Sequence, residues 1–390
     1  MPVNPSLAET SHEIAEWRRH LHAHPELLYD VENTAAFVAE KLAAFGCDAV
    51  ATGIGRTGVV GLIHGRNGAG GPLIGFRADM DALPIVEETG VPYASRRRGV
   101  MHACGHDGHT AMLLGAARGL CQSRGFPGSV AVIFQPAEEG GAGAKAMIED
   151  GLFERFPCER VFGLHNLPGV PVGAFALRPG PIMAATDEFV VTIRGRGGHA
   201  AIPQQTLDPV LAAAALTQSL QQIVSRNADP LDNVVVSVTQ IHAGQAHNVI
   251  PEEAVVSGTV RTLRAETRNM AEKRLSEIAD GIARAHGAQA ECVYRRNYPV
   301  TVNDGASAQL CARVAAEIVG SDRVEIGAPP LMGGEDFSYM LQAKPGAFVF
   351  IGNGDSAGLH HPRFDFADEA IPFGTSYWLR LAEAALEEAA

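Results

Sequence analysis

The chain has no stretch of about 20 consecutive apolar residues, which excludes a membrane-spanning helix. Met1 to Trp17 lacks both a basic head and an apolar run before a small-residue cleavage site, so a cytoplasmic protein is expected. Positive charge is scarce: 31 Lys and Arg stand against 44 Asp and Glu, giving a formal net charge of −13. With so little to offset phosphate repulsion, neither a nucleic acid nor an anionic membrane surface is an expected partner. The one compact basic run, Arg96-Arg97-Arg98, suits a solvated loop. Cysteine is sparse as well. Six are scattered at positions 47, 104, 121, 158, 292 and 311 with no CxxC pair, which points to reduced thiols. Five of them lie beside apolar residues and read as small core side chains; Cys104 is the exception. Internal repeats and low-complexity tracts are also missing.

What is present is an ordinary globular composition, 46% hydrophobic and 19% charged over 390 residues. At roughly 150 residues per domain, that length suggests two domains or three. Leu7, Ile14, Trp17 and Leu21 fall at mainly helical spacing in a first helix that Pro25 must follow. Asn33-Thr34 reads as the cap of a helix over 35–45 that Gly46 stops. Short apolar runs at 59–63, 73–76, 130–134 and 161–164 have the character of strands buried on both faces. Helical stretches at 110–121 and 142–148 alternate with them, which implies an α/β sheet covered by helices on both sides. Chemistry in such sheets gathers beyond the carboxyl ends of the strands, where Asp79-Met80-Asp81, Glu138-Glu139 and His165-Asn166 fall.

Pro179-Gly180-Pro181 breaks this pattern. Beyond it the order is strand, helix, two strands, helix and strand, the split ferredoxin-like βαββαβ unit, over 184–297. Tyr298-Pro299 marks the return, followed by a helix over 307–319, a buried strand over 347–351 and a terminal helix over 370–389. The expected architecture is therefore a discontinuous mixed-sheet α/β domain, 1–183 and 298–390, with an inserted ferredoxin-like βαββαβ domain at 184–297.

The densest chemistry lies in His102-Ala103-Cys104-Gly105-His106-Asp107-Gly108-His109. Cys104 and His106 flank a glycine that lets the backbone turn both side chains inward, and Glu139, His165 and His360 offer three more metal-capable groups. Five ligands exceed the need of one tetrahedral ion, which favours two ions sharing a bridge and activating a water for attack on a carbonyl or phosphoryl centre. Of the adjacent pair Glu138-Glu139, one carboxylate is free to bind metal while the other acts as general base. An exposed acidic turn is the plainer reading of that pair, but three other ligand clusters weigh against it. Asp79 and Asp107 are suited to orienting a ligating imidazole, and His102 and His109 are supporting or merely polar. Among His20, His22 and His24, surface or supporting roles are expected; His12, His64 and His286 are expected to carry none. Weaker candidates for substrate contact are His199 after a Gly-rich turn, Asn248, Arg261 with its carboxylate-binding fork, and Gly334 in the turn Gly333-Gly334-Glu335-Asp336.

Taken together these residues resemble the metal-dependent amidohydrolases of the aminoacylase and carboxypeptidase superfamily, in the branch of hippurate hydrolases and N-acyl-amino-acid amidohydrolases. The likeness runs from Arg18-Arg19-His20-Leu21-His22 through the stretches 76–84, 102–109, 135–141, 163–166, 197–200, 248–251 and 333–337 to His360-His361-Pro362. It implies a catalytic domain with two divalent ions, zinc or manganese with nickel or cobalt as alternatives, and a smaller lid that also forms a homodimer or higher oligomer. Carried over by position, Cys104, His106, Glu139, His165 and His360 are the implied metal ligands and Glu138 the implied general base. His199 matches the lid histidine that helps bind substrate, in some relatives across the dimer interface. Arg77 stands where many superfamily members have a metal-binding histidine, and Cys104 where they have a bridging aspartate; both changes are typical of this branch.

The implied reaction is hydrolysis of an N-acyl amino acid, with Glu138 taking a proton from the activated water and passing it to the leaving amine. The alternatives are a dipeptidase or exopeptidase of the same superfamily, and a non-catalytic metal- or ligand-binding relative. The presence of Glu138 weighs against the last, since a relic is expected to lose its base before its ligands. A thiol-nucleophile role for Cys104 leaves Glu139, His165 and His360 without a purpose.

Overall fold

The computed structural model describes residues 5–389. The chain separates into two compact units. The larger holds the chain up to Ile182, Val302–Pro329 and the chain from Asp336 onward; the smaller holds Met183–Thr301 and Pro330–Glu335. The segment 330–335 is a second piece of the smaller unit, outside the expected 184–297, and it carries Gly334.

In chain order the larger unit begins with α1 (Pro5–Ala23), α2 (Glu32–Phe45), β1 (Ala49–Ile54), β2 (Gly58–His64), β3 (Leu73–Asp79), α3 (His106–Ser123), β4 (Ser129–Gln135), β5 (Arg160–Leu167) and β6 (Phe175–Leu177). The smaller unit follows with β7 (Ala185–Arg194), β8 (Gly198–His199), α4 (Pro209–Leu220), β9 (Val234–Ala243), β10 (Val249–Ile250), β11 (Glu253–Thr262), α5 (Ala265–Ala285) and β12 (Gln289–Arg296). The chain returns with α6 (Gly305–Val319), β13 (Val324–Ile326), β14 (Gly346–Gly352) and α7 (Ile371–Ala389).

The larger unit is built on one eight-stranded mixed sheet in the order β1-β2-β4-β3-β5-β14-β6-β13. The four central strands β4, β3, β5 and β14 run parallel. Their apolar runs follow from burial on both faces: every residue of β4 and of β14 is buried. Helices α1, α3 and α7 share one core with the sheet, where Ile14, Trp17, Leu113, Leu114, Trp378 and Leu381 pack. Of the first helix's expected apolar face, Ile14, Trp17 and Leu21 are buried, while the side chain of Leu7 lies outside the described residues.

Two local expectations are corrected. Helix α2 starts at Glu32, with Val31 at its N-cap and no side-chain cap of its own. The cap comes from Glu26, whose carboxylate accepts the Thr34 N–H at 2.8 Å and the Asn33 side-chain amide at 2.6 Å. A buried carboxylate at a helix N-terminus meets both the orphan amides and the helix dipole. Helix α3 starts at His106, not near Thr110, so the ligand motif forms its first turn.

The smaller unit has the βαββαβ order, its main sheet running β9-β11-β7-β12 with every neighbouring pair antiparallel. Its core is lined by Val191, Leu216, Val256 and Leu275 from the sheet and from α4 and α5. Asp208 caps α4 by accepting the Val210 N–H at 2.8 Å. No described helix is long and apolar enough to cross a membrane.

Candidate metal centre

The carboxyl ends of β3, β4 and β5 meet the start of α3, and the ligand-type side chains collect there. Gly105, between Cys104 and His106, has φ +90°, and a Cβ at that position would collide with the Asn166 side-chain amide. Only glycine satisfies both demands at low cost. That amide donates to the Cys104 carbonyl at 2.5 Å and so ties the motif to the end of β5.

Four overlapping groups of potential ligand atoms, each within 4.8 Å of one another, fill this corner. Cys104, His106 and His165 form one; Cys104, Glu139 and His360 a second; His106, Glu138 and Glu139 a third; Asp79, His106 and His109 a fourth. The larger unit thus brings Cys104, His106, Glu138, Glu139, His165 and His360 together with Asp79. Cys104 Sγ lies 3.4 Å from His165 Nε2, and His360 Nε2 lies 3.3 Å from Glu139 Oε1. His360 is held there with φ +63°, its N–H donating to the Ala103 carbonyl at 2.8 Å. A left-handed histidine is a strained choice that the surrounding loop must enforce.

The hydrogen bonds fix which nitrogen of each imidazole is free. His106 Nδ1–H donates to the Asp81 carbonyl at 2.8 Å and His165 Nδ1–H to the Asn166 carbonyl at 2.6 Å, so each ring, when neutral, presents Nε2 as a lone pair. The Nε2 of His106 is buried without a hydrogen-bond partner. His109 differs. Its Nδ1–H donates to Asp79 Oδ1 at 2.7 Å and its Nε2 accepts the Asn166 N–H at 2.9 Å, which leaves no lone pair for a cation.

Further buried residues complete the frame. Asp81 accepts the backbone N–H groups of Glu138 and Glu139 at 2.9 and 3.1 Å. Arg77 is buried and donates to Gln135 Oε1 at 2.8 Å, to Asp79 Oδ2 at 2.8 Å and to Asp336 Oδ1 at 3.0 Å. His22 is buried against Asp107 at 2.9 Å, beside the motif, while His20 and His24 are exposed. His102 is buried, with neither ring nitrogen hydrogen-bonded.

The charges are unbalanced in a way that favours a cation. Burial pulls the His106 imidazole down, but Asp79, Asp81 and Glu139 outweigh it and push it up to about 10. Burial, with the charges of Glu139, Glu138 and Asp79, holds the Cys104 thiol well above its ordinary range. Burial alone would raise Asp79, yet His106, Arg77 and His109 hold it well below the carboxylate range. Burial lifts Asp81. Such a site takes up protons unless another positive charge replaces them, and a divalent ion would also draw Cys104 to its thiolate.

In the smaller unit His199 and Asn248 lie on neighbouring segments. His199 pairs with Val249 between β8 and β10, and the Ala200 N–H donates to the Asn248 carbonyl at 3.1 Å. His199 Nδ1 accepts the Ala201 N–H at 3.0 Å, so its proton sits on Nε2 of an exposed ring. Arg261, half-buried on β11, stands opposite Thr186, and Thr186 closes on Gly334 so tightly that a Cβ there would collide with it.

A buried N, O and S donor set at the carboxyl edge of a mixed sheet, in a chain that also holds a ferredoxin-like unit, defines a metallohydrolase class of protein. The sequence profile of Peptidase family M20/M25/M40 matches residues 75–384, and the chain belongs to that family. It is 42% identical to a hippurate hydrolase of Campylobacter jejuni, with 98% of this chain and 99% of that protein covered. It is 41% identical to an N-acetylcysteine deacetylase of Bacillus subtilis, covering 95% and 96%. The crystal structure of a dinuclear metal-binding M20 peptidase of Bacillus subtilis superposes with a TM-score of 0.85 at 36% identity, covering 97% and 99%.

Proposed function

We propose that this chain hydrolyses the amide bond of N-acyl amino acids, hippurate-like or N-acetylated, releasing a carboxylate and a free amino acid with the help of divalent metal ions. The observation that carries the reading is the side chain of His106. Its Nε2 is buried without a hydrogen-bond partner, next to Cys104, Glu139 and His165. A buried polar atom left this way costs about 1–3 kcal/mol, which a bound cation would recover. Relatives that hydrolyse hippurate and deacetylate N-acetylcysteine, matched over nearly their whole length, support the substrate class.

In this reading Cys104, His106, Glu139, His165 and His360 hold two ions, zinc or manganese, with nickel or cobalt as alternatives. Cys104 belongs to two of the ligand groups and would supply a thiolate to the ions. Bound ions of this kind acidify a water and polarise a carbonyl. Glu138 takes the proton of the attacking water and returns it to the leaving nitrogen. Its position is set by Asp81, which grips the Glu138 and Glu139 backbone. His199 offers a free Nε2–H to a developing oxyanion, while Asn248, Arg261 and the Gly334 backbone recognise the substrate's polar groups and carboxylate.

The smaller unit is assigned the role of lid and dimerisation domain. Eight of the twelve exposed large hydrophobics among the described residues lie in it, Leu211, Leu231, Ile241 and Val249 among them, and that concentration favours a covered surface. Its edge strand β9 is also open to pairing.

A panel of N-benzoyl amino acids, N-acetyl amino acids and dipeptides tests the substrate class. The relative described as a peptidase keeps dipeptide cleavage as the second reading. Glu138→Gln is expected to retain the metal while turnover falls about 100- to 10,000-fold. Near-normal turnover in that variant would overturn the assignment of the base.

A further inference from the structure

Cys47 and Cys121 are 74 positions apart in sequence, yet their sulfurs lie 3.7 Å apart. Cys47 follows Gly46, the left-handed residue that ends α2, and Cys121 lies near the end of α3. The two backbones are strapped together by Arg124, three residues beyond Cys121. Its guanidinium donates to the Gly46 carbonyl at 2.7 Å, to Asp48 Oδ2 at 2.7 Å and to the His64 carbonyl at 2.8 Å, so both neighbours of Cys47 are fixed. Cys47 is half-buried and Cys121 is 9% exposed, which gives the pair a narrow opening to solution. The site is separate from the metal centre. From His106 to Cys121 is 15 residues along one helix, about 22 Å at 1.5 Å per residue.

We propose that Cys47 and Cys121 form a redox-active dithiol, closed to an intrachain disulfide by a low-molecular-weight disulfide and reopened by excess thiol. The Cys121 thiolate attacks one sulfur of the small disulfide, forming a mixed disulfide and expelling one thiolate. The sulfur of Cys47, giving up its proton, then attacks Sγ of Cys121 and expels the second thiolate. The two protein thiols lose two electrons and two protons; the small disulfide gains them as two thiols. Closing the bond to about 2.05 Å brings the sulfurs together by roughly 1.7 Å, within reach of side-chain rotation with modest backbone adjustment. Cys121 is the better attacker because its contact with Cys47 Sγ and, against the effect of burial, the charge of Arg124 hold its thiol below the ordinary value.

The test uses the metal-loaded full chain incubated with oxidised glutathione, then alkylated and mapped by peptide mass spectrometry. The expected result is a linked peptide pair joining Cys47 to Cys121, loss of alkylation at those two cysteines alone, and full reversal by dithiothreitol. Closure should raise Tm by at least about 4 °C, since it removes freedom from the unfolded chain. Cys47→Ser should stop at a stable glutathione adduct on Cys121, with hydrolytic activity unchanged. Two results would overturn the proposal. One is a wild-type chain in which both thiols stay alkylatable under conditions that modify Cys121 in Cys47→Ser. The other is a linked pair that involves different cysteines.

Discussion

Asp79 Oδ1 accepts the Nδ1–H of His109 at 2.7 Å, and both side chains are buried. The other Asp79 oxygen is held by Arg77 at 2.8 Å, so this carboxylate joins the β3 strand to the first turn of α3. His109 in turn receives the Asn166 N–H, which links it to the segment that carries His165. In the proposed reading this arrangement orients imidazoles instead of supplying a ligand. Asp79→Asn puts an amide where two donors already point. Metal affinity in that variant is expected to fall about 10- to 100-fold, with turnover falling alongside. A competition titration against a chromogenic chelator measures the first, and wild-type affinity would assign Asp79 to folding alone.

Gly105 permits a second prediction. Its φ of +90° and the closeness of Asn166 leave no room for a methyl group. Gly105→Ala is expected to cost about 1–3 kcal/mol from backbone conformation alone, and more if Asn166 is displaced. Denaturant unfolding of the metal-free chain reads the stability, and metal analysis reads the loss of the site. A variant with unchanged midpoint and metal content would contradict the steric account.

Much of this was legible in the sequence, for reasons that also explain what was not. The apolar runs of β2, β4, β5 and β14 announce burial on both faces, and the βαββαβ order follows from clear periodicities between 184 and 297. The strand β1 was missed because its residues are mostly exposed or half-buried and show no sustained apolar run. The start of α3 was misplaced because His106-Asp107-Gly108-His109 reads as a polar loop; its side chains are buried by one another and by Phe366, which no local pattern reveals. Glu26 was missed, and Asp81 and Asn166 were given no role of their own, for a shared reason. Each acts through hydrogen bonds to backbone brought near by the sheet and helix packing, so its role depends on strand neighbours instead of spacing. The pairing of Cys47 with Cys121 is hidden in the same way.

The smaller unit contains a buried ion pair whose removal has a defined sign. Arg268 Nε donates to Asp187 Oδ2 at 2.9 Å and its Nη2 to Oδ1, while Tyr294 Oη donates to Oδ2 at 2.7 Å. Asp187 is 2% exposed. Arg268→Ala leaves that carboxylate buried without its cation, and the expected loss is about 3–5 kcal/mol. Arg268→Met with Asp187→Leu removes both charges and should recover most of the loss. Unfolding of the two variants followed side by side decides it; equal destabilisation would show that shape, not charge, sets the cost.

His22 gives the fold a pH dependence of known sign. Burial would lower its imidazole, but hydrogen bonds to Asp107 at 2.9 Å and Glu87 at 3.3 Å carry it from an ordinary 6.5 up to about 9. Both ring nitrogens face carboxylate oxygens, the arrangement that a doubly protonated ring satisfies. Because the folded value lies above the unfolded one, the stabilisation is fully present below pH 6.5. It declines as pH rises from there and is gone above about 9. The full shift corresponds to about 3 kcal/mol, shared with the carboxylates that face the ring. His22→Gln cannot carry the charge, so its stability should lie furthest below the wild type near pH 6 and approach it as pH passes 9. Chemical unfolding of both proteins between pH 6 and pH 10 measures the gap. A gap that stays constant or widens with pH would show that His22 is neutral in the folded chain.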